Sequence, residues 1–274
     1  MSRDVIIITG AGRGLGRAYA LACAQRDAAV VVNDVDAIGA EDTLSQIRAA
    51  GGEAISSVGS VADWSYVSLL VERCVARFGT LTGLVNNAGV LHSRHIWEEE
   101  PIGVHEIISS NLVGTMYCGA IASRYMLTHG GGSIVNVTSS SQRGVEKLST
   151  YGATKSAITT LTVAWAAEGR AGNIRVNAVA PMAATSILQN WQPSPEEMAA
   201  VPSYGTADQV APLVAYLASS RSAPHTGKLI RNDGTSLSPL LPPGYASDRR
   251  LCAQSSEEAI GTFLAETVYP LMTN

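Results

Sequence analysis

Four apolar residues, three of them isoleucine, run directly into a glycine turn: Val5-Ile6-Ile7-Ile8 is followed by Thr9-Gly10-Ala11-Gly12-Arg13-Gly14-Leu15-Gly16. The first run reads as a buried strand. The Ala- and Leu-rich stretch from Arg17 to Gln25 reads as a helix. Strand, glycine turn and helix, in that order, form the setting in which a dinucleotide is held. Glycines let the backbone approach a pyrophosphate, and the helix N-terminus offers free N–H groups and the positive end of its dipole. The spacing is not G-x-G-x-x-G, because the last position counted from Gly10 falls on Leu15. It fits T-G-x-x-x-G-x-G, with Gly10, Gly14 and Gly16 as the glycines. The plain alternative is a glycine-rich loop that binds nothing.

The alternation continues along the chain. Strands are expected at about 4–9, 29–34, 53–58, 82–86, 133–138, 173–179 and 227–231, and helices at about 14–26, 37–50, 63–78, 104–128, 150–170 and 206–219. Such alternation predicts an α/β fold: a Rossmann-type, doubly wound parallel sheet of about seven strands with helices on both faces. A ligand is then expected at the C-terminal edge of the strands. The 274 residues suit a single domain spanning 1–274, with no internal repeat or linker. The stretch 182–205 holds Trp191, Pro193, Pro195, Pro202 and Tyr204 and fits no simple period. A long irregular segment in a compact domain is usually functional, so it reads as a substrate lid. Beyond Gly234 a tail runs over about 236–274, where Ser255-Ser256-Glu257-Glu258 has the pattern of a capping box opening a helix to about Glu266.

Charge and composition remove several classes of function. A net charge of −4 argues against a nucleic-acid binder, and 46% hydrophobic against 15% charged residues argues against disorder. The four cysteines, Cys23, Cys74, Cys118 and Cys252, have no C-x-x-C spacing and read as buried thiols of a reducing compartment. Met1-Ser2-Arg3-Asp4 leads straight into a strand without the regions of a signal peptide, and no apolar stretch is long enough to span a bilayer. The expectation is a cytoplasmic protein with no membrane partner. His92 and His95 share a polar loop with Ser93 and Arg94 but lack an obvious third ligand, so no metal is expected.

Two groups of residues carry chemistry. Tyr151 and Lys155 lie four apart, on one face of a helix. An ammonium beside a phenol favours the phenolate, which makes Tyr151 a candidate proton donor and acceptor. Asp34 closes the strand Val30-Val31-Val32-Asn33-Asp34. A carboxylate there accepts hydrogen bonds from ribose hydroxyls and repels a 2′-phosphate, which favours NAD over NADP. Arg13 argues the other way, since it can pair with a phosphate. Asp36 is a weaker second acidic candidate.

These features together resemble the short-chain dehydrogenase/reductase family, and further motifs match it over about residues 4–235. They are Leu84-Val85-Asn86-Asn87-Ala88-Gly89 after the fourth strand, Asn111 in Ser110-Asn111-Leu112, Ile134-Val135-Asn136-Val137-Thr138-Ser139, and Arg175-Val176-Asn177-Ala178-Val179-Ala180-Pro181. The resemblance implies oxidation of a secondary alcohol, or the reverse, by hydride transfer to or from a nicotinamide. Tyr151 becomes the acid/base and Lys155 its activator and a donor to the nicotinamide ribose. Ser139 orients the substrate oxygen, and Asn111 holds a water in a proton relay. Cofactor contacts carry over to Gly10, Arg13, Gly14, Leu15, Gly16, Asp34, Ser60, Val61, Asn87, Ala88, Gly89, Tyr151, Lys155, Pro181 and Thr185. Val61 would lie against the adenine, and Ser60 stands where the family usually has Asp. The interval from Ser139 to Tyr151 is one residue shorter than usual, and Met182 replaces the glycine that normally follows Pro181.

Family resemblance also implies a homotetramer built on the helices near 104–128 and 150–170, with Val113, Ile121, Ile158, Leu161 and Val163 as apolar contacts. Within the family the likeness runs to the (3R)-hydroxyacyl-CoA dehydrogenases of peroxisomal multifunctional enzymes. It rests on Gly16-Arg17-Ala18-Tyr19-Ala20-Leu21, the Val-Val-Asn-Asp strand end, and Ala-Pro followed by an alanine-rich turn. No cluster of Lys and Arg suits the phosphates of CoA, so steroids, terpenoids and other cyclic alcohols fit equally well. The competing class is a catalytically weak NAD-binding regulator on the same fold. The retention of Asn111, Ser139, Tyr151 and Lys155 argues for chemistry.

Overall fold

The computed structural model describes residues 3–183, 204–223 and 225–241. Its strands follow the apolar runs. They are β1 (Val5–Thr9), β2 (Ala29–Asp34), β3 (Ala54–Val58), β4 (Gly83–Asn86), β5 (Gly132–Val137), β6 (Ile174–Pro181), β7 (Leu229–Asn232) and β8 (Leu237–Pro239). The sheet order is β3-β2-β1-β4-β5-β6-β7-β8. Every pairing from β3 to β7 is parallel, and β8 adds an antiparallel edge to β7. That eighth strand is three residues long and largely exposed, too short to give a period in the sequence.

Helices occupy both faces: α1 (Gly14–Ala24), α2 (Ala37–Ala49), α3 (Trp64–Phe78), α4 (Pro101–Ile107), α5 (Gly114–Thr128), α6 (Ser149–Glu168) and α7 (Ala207–Ala218). Alternate residues of one strand feed two cores, which is why the central strands are apolar throughout. Ile6, Ile8, Val30, Val32, Val85, Val135 and Val179 pack against Ala18, Ala20, Val210 and Val214 of α1 and α7. Val5, Ile7, Val31, Leu84, Ile134 and Val176 pack against Leu70, Val71, Cys118, Ala122 and Met126 of α3 and α5.

The helix expected over 104–128 is not continuous. A π-turn at Ile108–Val113 separates α4 from α5. Its extra residue turns Asn111 out of the helical register and into the protein, where its side chain is fully buried.

Three of the described α-helices begin on side-chain caps. Asp36 accepts from the N–H of Ile38, Asp63 from those of Ser65 and Tyr66, and Thr206 from that of Gln209. Helix α1 follows Arg13, which makes no side-chain cap, and has no acidic residue in its first turn.

Candidate active site

The sheet order reverses between β1 and β4, the switch point at which open α/β sheets hold ligands. A cleft of about 390 Å³ opens there. Gly10, Arg13, Gly14, Leu15, Gly16, Asp34, Ser60, Val61, Asn87, Ala88 and Gly89 all line it. Eleven of the residues expected to contact a cofactor therefore share one cavity.

The turn after β1 has to be glycine. Gly10 (φ +62°) and Gly14 (φ +54°) are left-handed. A Cβ on Gly16 would stand 2.0 Å from the Gly10 carbonyl oxygen, and one on Gly10 would stand 2.8 Å from Ala88 Cα. The turn is stitched to β4 by side chains. Asn87 Nδ2 donates to the carbonyls of Thr9 (2.9 Å) and Gly10 (3.0 Å), and Thr9 Oγ1 accepts from the N–H groups of Asn87 and Ala88, both at 3.0 Å. With its first turn uncapped, α1 presents unsatisfied N–H groups to the cleft, as a pyrophosphate requires. This glycine cradle and bare helix end fit a dinucleotide.

Asp34 sits at the end of β2 with its carboxylate fixed from two sides. Oδ2 accepts from the Gly12 N–H (2.8 Å) and Oδ1 from the Asp36 N–H (3.0 Å). Gly12 stood only as an unspecified position of the motif, yet a Cβ on it would meet Asp34 Oδ2 at 2.8 Å. Asp36, the weaker acidic candidate, caps α2. Ser60 Oγ accepts from the Ala62 N–H of its own loop (3.2 Å). Val61 is buried against Gly114, where a Cβ would come within 2.4 Å of its Cγ2.

Asn33, Val35, Gly59, Val90, Leu91 and Ser110 also line the cleft and were not anticipated. Asn33 had a readable signal, an amide at the end of a valine run. It donates to Ser57 O, Gly59 O and Tyr66 Oη at 3.0–3.1 Å, which fixes the turn after β3.

Beside the cleft stand Ser139, Tyr151 and Lys155. Ser139 follows β5 as the cap of a short 3₁₀ turn, and its Oγ accepts from Ser141 N (3.2 Å) and Ser141 Oγ (3.0 Å). Tyr151 and Lys155 are buried in the first half of α6. Lys155 Nζ lies 5.5 Å from the centre of the Tyr151 ring and donates to Val137 O at 2.8 Å. Tyr151 packs with Leu91 and Leu148, and Leu91 also lines the cleft, so one side chain joins the two regions.

The electrostatics correct one expectation. A neighbouring ammonium was expected to ease ionisation of Tyr151. Burial instead pushes the phenol up from 10.0 to about 12, only partly offset by its hydrogen bond with Ser139. The same desolvation lowers Lys155 from 10.5 to about 8.

Asn111 is also committed. Its Oδ1 accepts from Val90 N (2.7 Å) and its Nδ2 donates to Val90 O (2.9 Å), clamping the chain just after Gly89. Pro181 ends β6, where Met182 N donates to Asn232 O at 2.7 Å. Thr185, the body of the proposed lid, Cys252 and the tail beyond Leu241 lie outside the described residues. Each loop histidine has a carboxylate neighbour: His92 is 3.3 Å from Glu99, and His95 is 3.7 Å from Glu146. Among the described residues no group of three or more His, Cys, Asp or Glu is arranged to hold a metal.

A glycine cradle at the switch point, with Ser139 and the buried Tyr151 and Lys155 beside it, defines an α/β enzyme of the dinucleotide-dependent class. The family model described as short chain dehydrogenase matches residues 4–196, and the chain belongs to that family. It is 37% identical to a cis-4-hydroxycyclohexanecarboxylate dehydrogenase of Sinomonas cyclohexanicum, over 84% of this chain and 95% of that one. A peroxisomal hydratase-dehydrogenase-epimerase of Neurospora crassa is 34% identical over 79% of this chain but only 23% of its own length. Among solved structures, a short chain dehydrogenase from Mycobacterium avium superposes with a TM-score of 0.84 at 32% identity, covering 96% of this chain and 93% of that one. A 7α-hydroxysteroid dehydrogenase complexed with NADH and 7-oxo glycochenodeoxycholic acid superposes at 0.78 with 26% identity, covering 85% and 93%.

Proposed function

We propose that the protein is an NAD-dependent dehydrogenase interconverting a cyclic secondary alcohol and its ketone. The observation that carries this reading is the continuity, through Leu91, between the cleft at the switch point and buried Tyr151. The nicotinamide would supply the hydride acceptor or donor. Gly10, Gly14 and Gly16, with the start of α1, would hold the pyrophosphate. Asp34 would accept from the adenine ribose and exclude a 2′-phosphate. Arg13 is exposed and has no fixed partner among the described residues, so it does not outweigh a carboxylate oriented by two backbone N–H groups.

The protein's own residues then handle the proton. Ser139 stands near enough to Tyr151 to favour its ionised form, so both hydroxyls can address one substrate oxygen. With its pKa near 12, Tyr151 is a phenol at neutral pH and suited to protonate a developing alkoxide. In the oxidative direction it must lose that proton, and a charged Lys155 favours this. The ring packing around Tyr151 excludes water from the transfer. The relatives named for cyclohexane-ring and steroid substrates support a cyclic alcohol. The regulator alternative gains nothing from a site with all its titratable parts in place.

The test is absorbance of reduced cofactor with a panel of cyclic alcohols and either NAD or NADP. Turnover should favour NAD, and Tyr151→Phe should lower kcat at least ~10²-fold while NAD still binds. A Tyr151→Phe enzyme with more than half the parent rate removes the catalytic assignment, and a preference for NADP removes the role of Asp34.

A further inference from the structure

At the C-terminal edge of β7 the sheet carries a guanidinium that hydride transfer does not use. Arg231 lies opposite Ala180 of β6. Its neighbours in sequence face α7: Ile230 packs into the α1/α7 core, and Asn232 Nδ2 donates to Val210 O (3.2 Å). Leu229 clusters on the other face with Ala178, Ala180 and Leu240. Strand alternation puts Arg231 in phase with Leu229. It therefore stands on the face opposite α7, at the sheet edge where β6 ends in Pro181.

Its partners there are poor. Nε is 2.8 Å from Met182 Sδ, and a thioether is a weak acceptor. Nη1 is 3.5 Å from Asp233 Oδ2, long for a charge-assisted hydrogen bond. That carboxylate is already occupied. Oδ1 accepts from Thr235 N (3.0 Å), Thr235 Oγ1 (2.9 Å) and Ser236 N (2.7 Å), and Oδ2 accepts from Ser236 Oγ (2.7 Å). Those bonds, Ser236 foremost, hold the Asp233 carboxyl well below the usual range. Among the described residues, five N–H donors thus meet one sulfur and one distant, saturated carboxylate. The half-buried Tyr204 ring stands close enough to feel the charge of Arg231. A partly buried guanidinium with spare donors, a thioether against its Nε and a phenol within electrostatic reach suits a planar anion on an apolar body.

We propose that Arg231 recognises a carboxylate carried by the substrate away from its hydroxyl, with Met182 and Tyr204 against the intervening apolar frame. The substrate class is then a cyclic hydroxy acid. The proposal rests on the dehydrogenase reading above. Asp233 sets the limit on charge: a monoanion is accommodated, whereas a phosphate dianion would face a carboxylate beside the same guanidinium.

The test compares kcat/KM for cyclohexanol and for cis- and trans-4-hydroxycyclohexanecarboxylate in the parent, Arg231→Met and Arg231→Lys enzymes, with NAD. Calorimetry of cyclohexanecarboxylate and of its neutral amide binding to the protein–NAD complex reads the same site without turnover. The parent should prefer an acid over the alcohol at least tenfold. Arg231→Met should reduce that preference roughly 10–100-fold, with the loss chiefly in KM, as expected for a hydrogen-bonded charge, and Arg231→Lys should keep part of it. Carboxylate binding should weaken in parallel, and amide binding should not. No acid preference and no carboxylate binding in the parent overturns the proposal. So does a preference that persists in Arg231→Met, or a proportional loss for acid and alcohol, which is what a purely structural Arg231 would give. If carboxylate binds through Arg231 but no alcohol is oxidised, the anion site stands and the dehydrogenase reading fails.

Discussion

Tyr151 and Lys155 resist charging for the same reason, the removal of water, and their effects on stability run in opposite directions along the pH scale. Lys155 titrates near 8 in the fold and near 10.5 when unfolded. Below pH 8 the fold carries the full cost of a buried ammonium, and this cost disappears as pH rises to about 10.5. Tyr151 titrates near 12 in the fold against 10.0 unfolded, so its contribution holds below pH 10 and is lost as pH approaches 12. Lys155→Met should therefore be inactive yet more stable at pH 7. The shift corresponds to roughly 3 kcal/mol, reduced by about 1 kcal/mol for the lost hydrogen bond to Val137 O. Thermal unfolding at pH 7 and pH 10 checks this: the variant's advantage should shrink at the higher pH, and an unchanged or lower Tm at pH 7 would contradict it. The spacing of Tyr151 and Lys155 was legible in the sequence because i,i+4 geometry is local. The direction of the phenol's shift was not, because it depends on burial completed by Leu91, which arrives from a segment sixty residues away.

Among the elements, the glycine turn and the helix around Asn111 show what periodicity can and cannot reveal. The turn was readable because glycine is the only side chain that Gly10, Gly14 and Gly16 tolerate. Gly12 was missed because its backbone is unremarkable, and what makes a side chain there costly is the carboxylate of Asp34, with the Gly39 backbone behind it. Gly12→Ala should leave the fold intact, displace Asp34 and raise KM for NAD about tenfold, the value of one hydrogen bond to a charged group. Titration with NAD alongside far-UV circular dichroism separates this from unfolding, and an unchanged KM would show that Asp34 is not held through Gly12. The π-turn was invisible because its six residues, Ile-Ser-Ser-Asn-Leu-Val, read as ordinary helix. What selects it is the pairing of Asn111 with Val90, a contact across twenty-one positions.

For the whole molecule, we propose the expected homotetramer on α5 and α6 with a changed set of contacts. Ile158 is only 1% exposed within its own subunit and cannot serve an interface, whereas Met116 (42%), Leu127 (61%) and Val163 (43%) present apolar surface. Symmetric assembly is the usual way such faces are covered. Light scattering should give about four times the 28.6 kDa chain mass, and Val163→Glu should shift the protein toward smaller species while its helical signal persists. A parent protein of single-chain mass would rule the assembly out. No described helix is long and apolar enough to cross a membrane.

Both ends of the stretch between Ala183 and Tyr204 are fastened at one spot on the sheet. Gly205 N donates to Met182 O at 3.2 Å, Ala183 bridges Gly205, and a Cβ on Gly205 would meet Asp233 O at 2.6 Å. Because Met182 N also donates to Asn232 O, the same short run of backbone couples the ends of β6 and β7 to Gly205. A side chain at Gly205 would therefore be felt at Pro181 and Arg231 together, and this one glycine sets the spacing of two strand ends far from it in sequence.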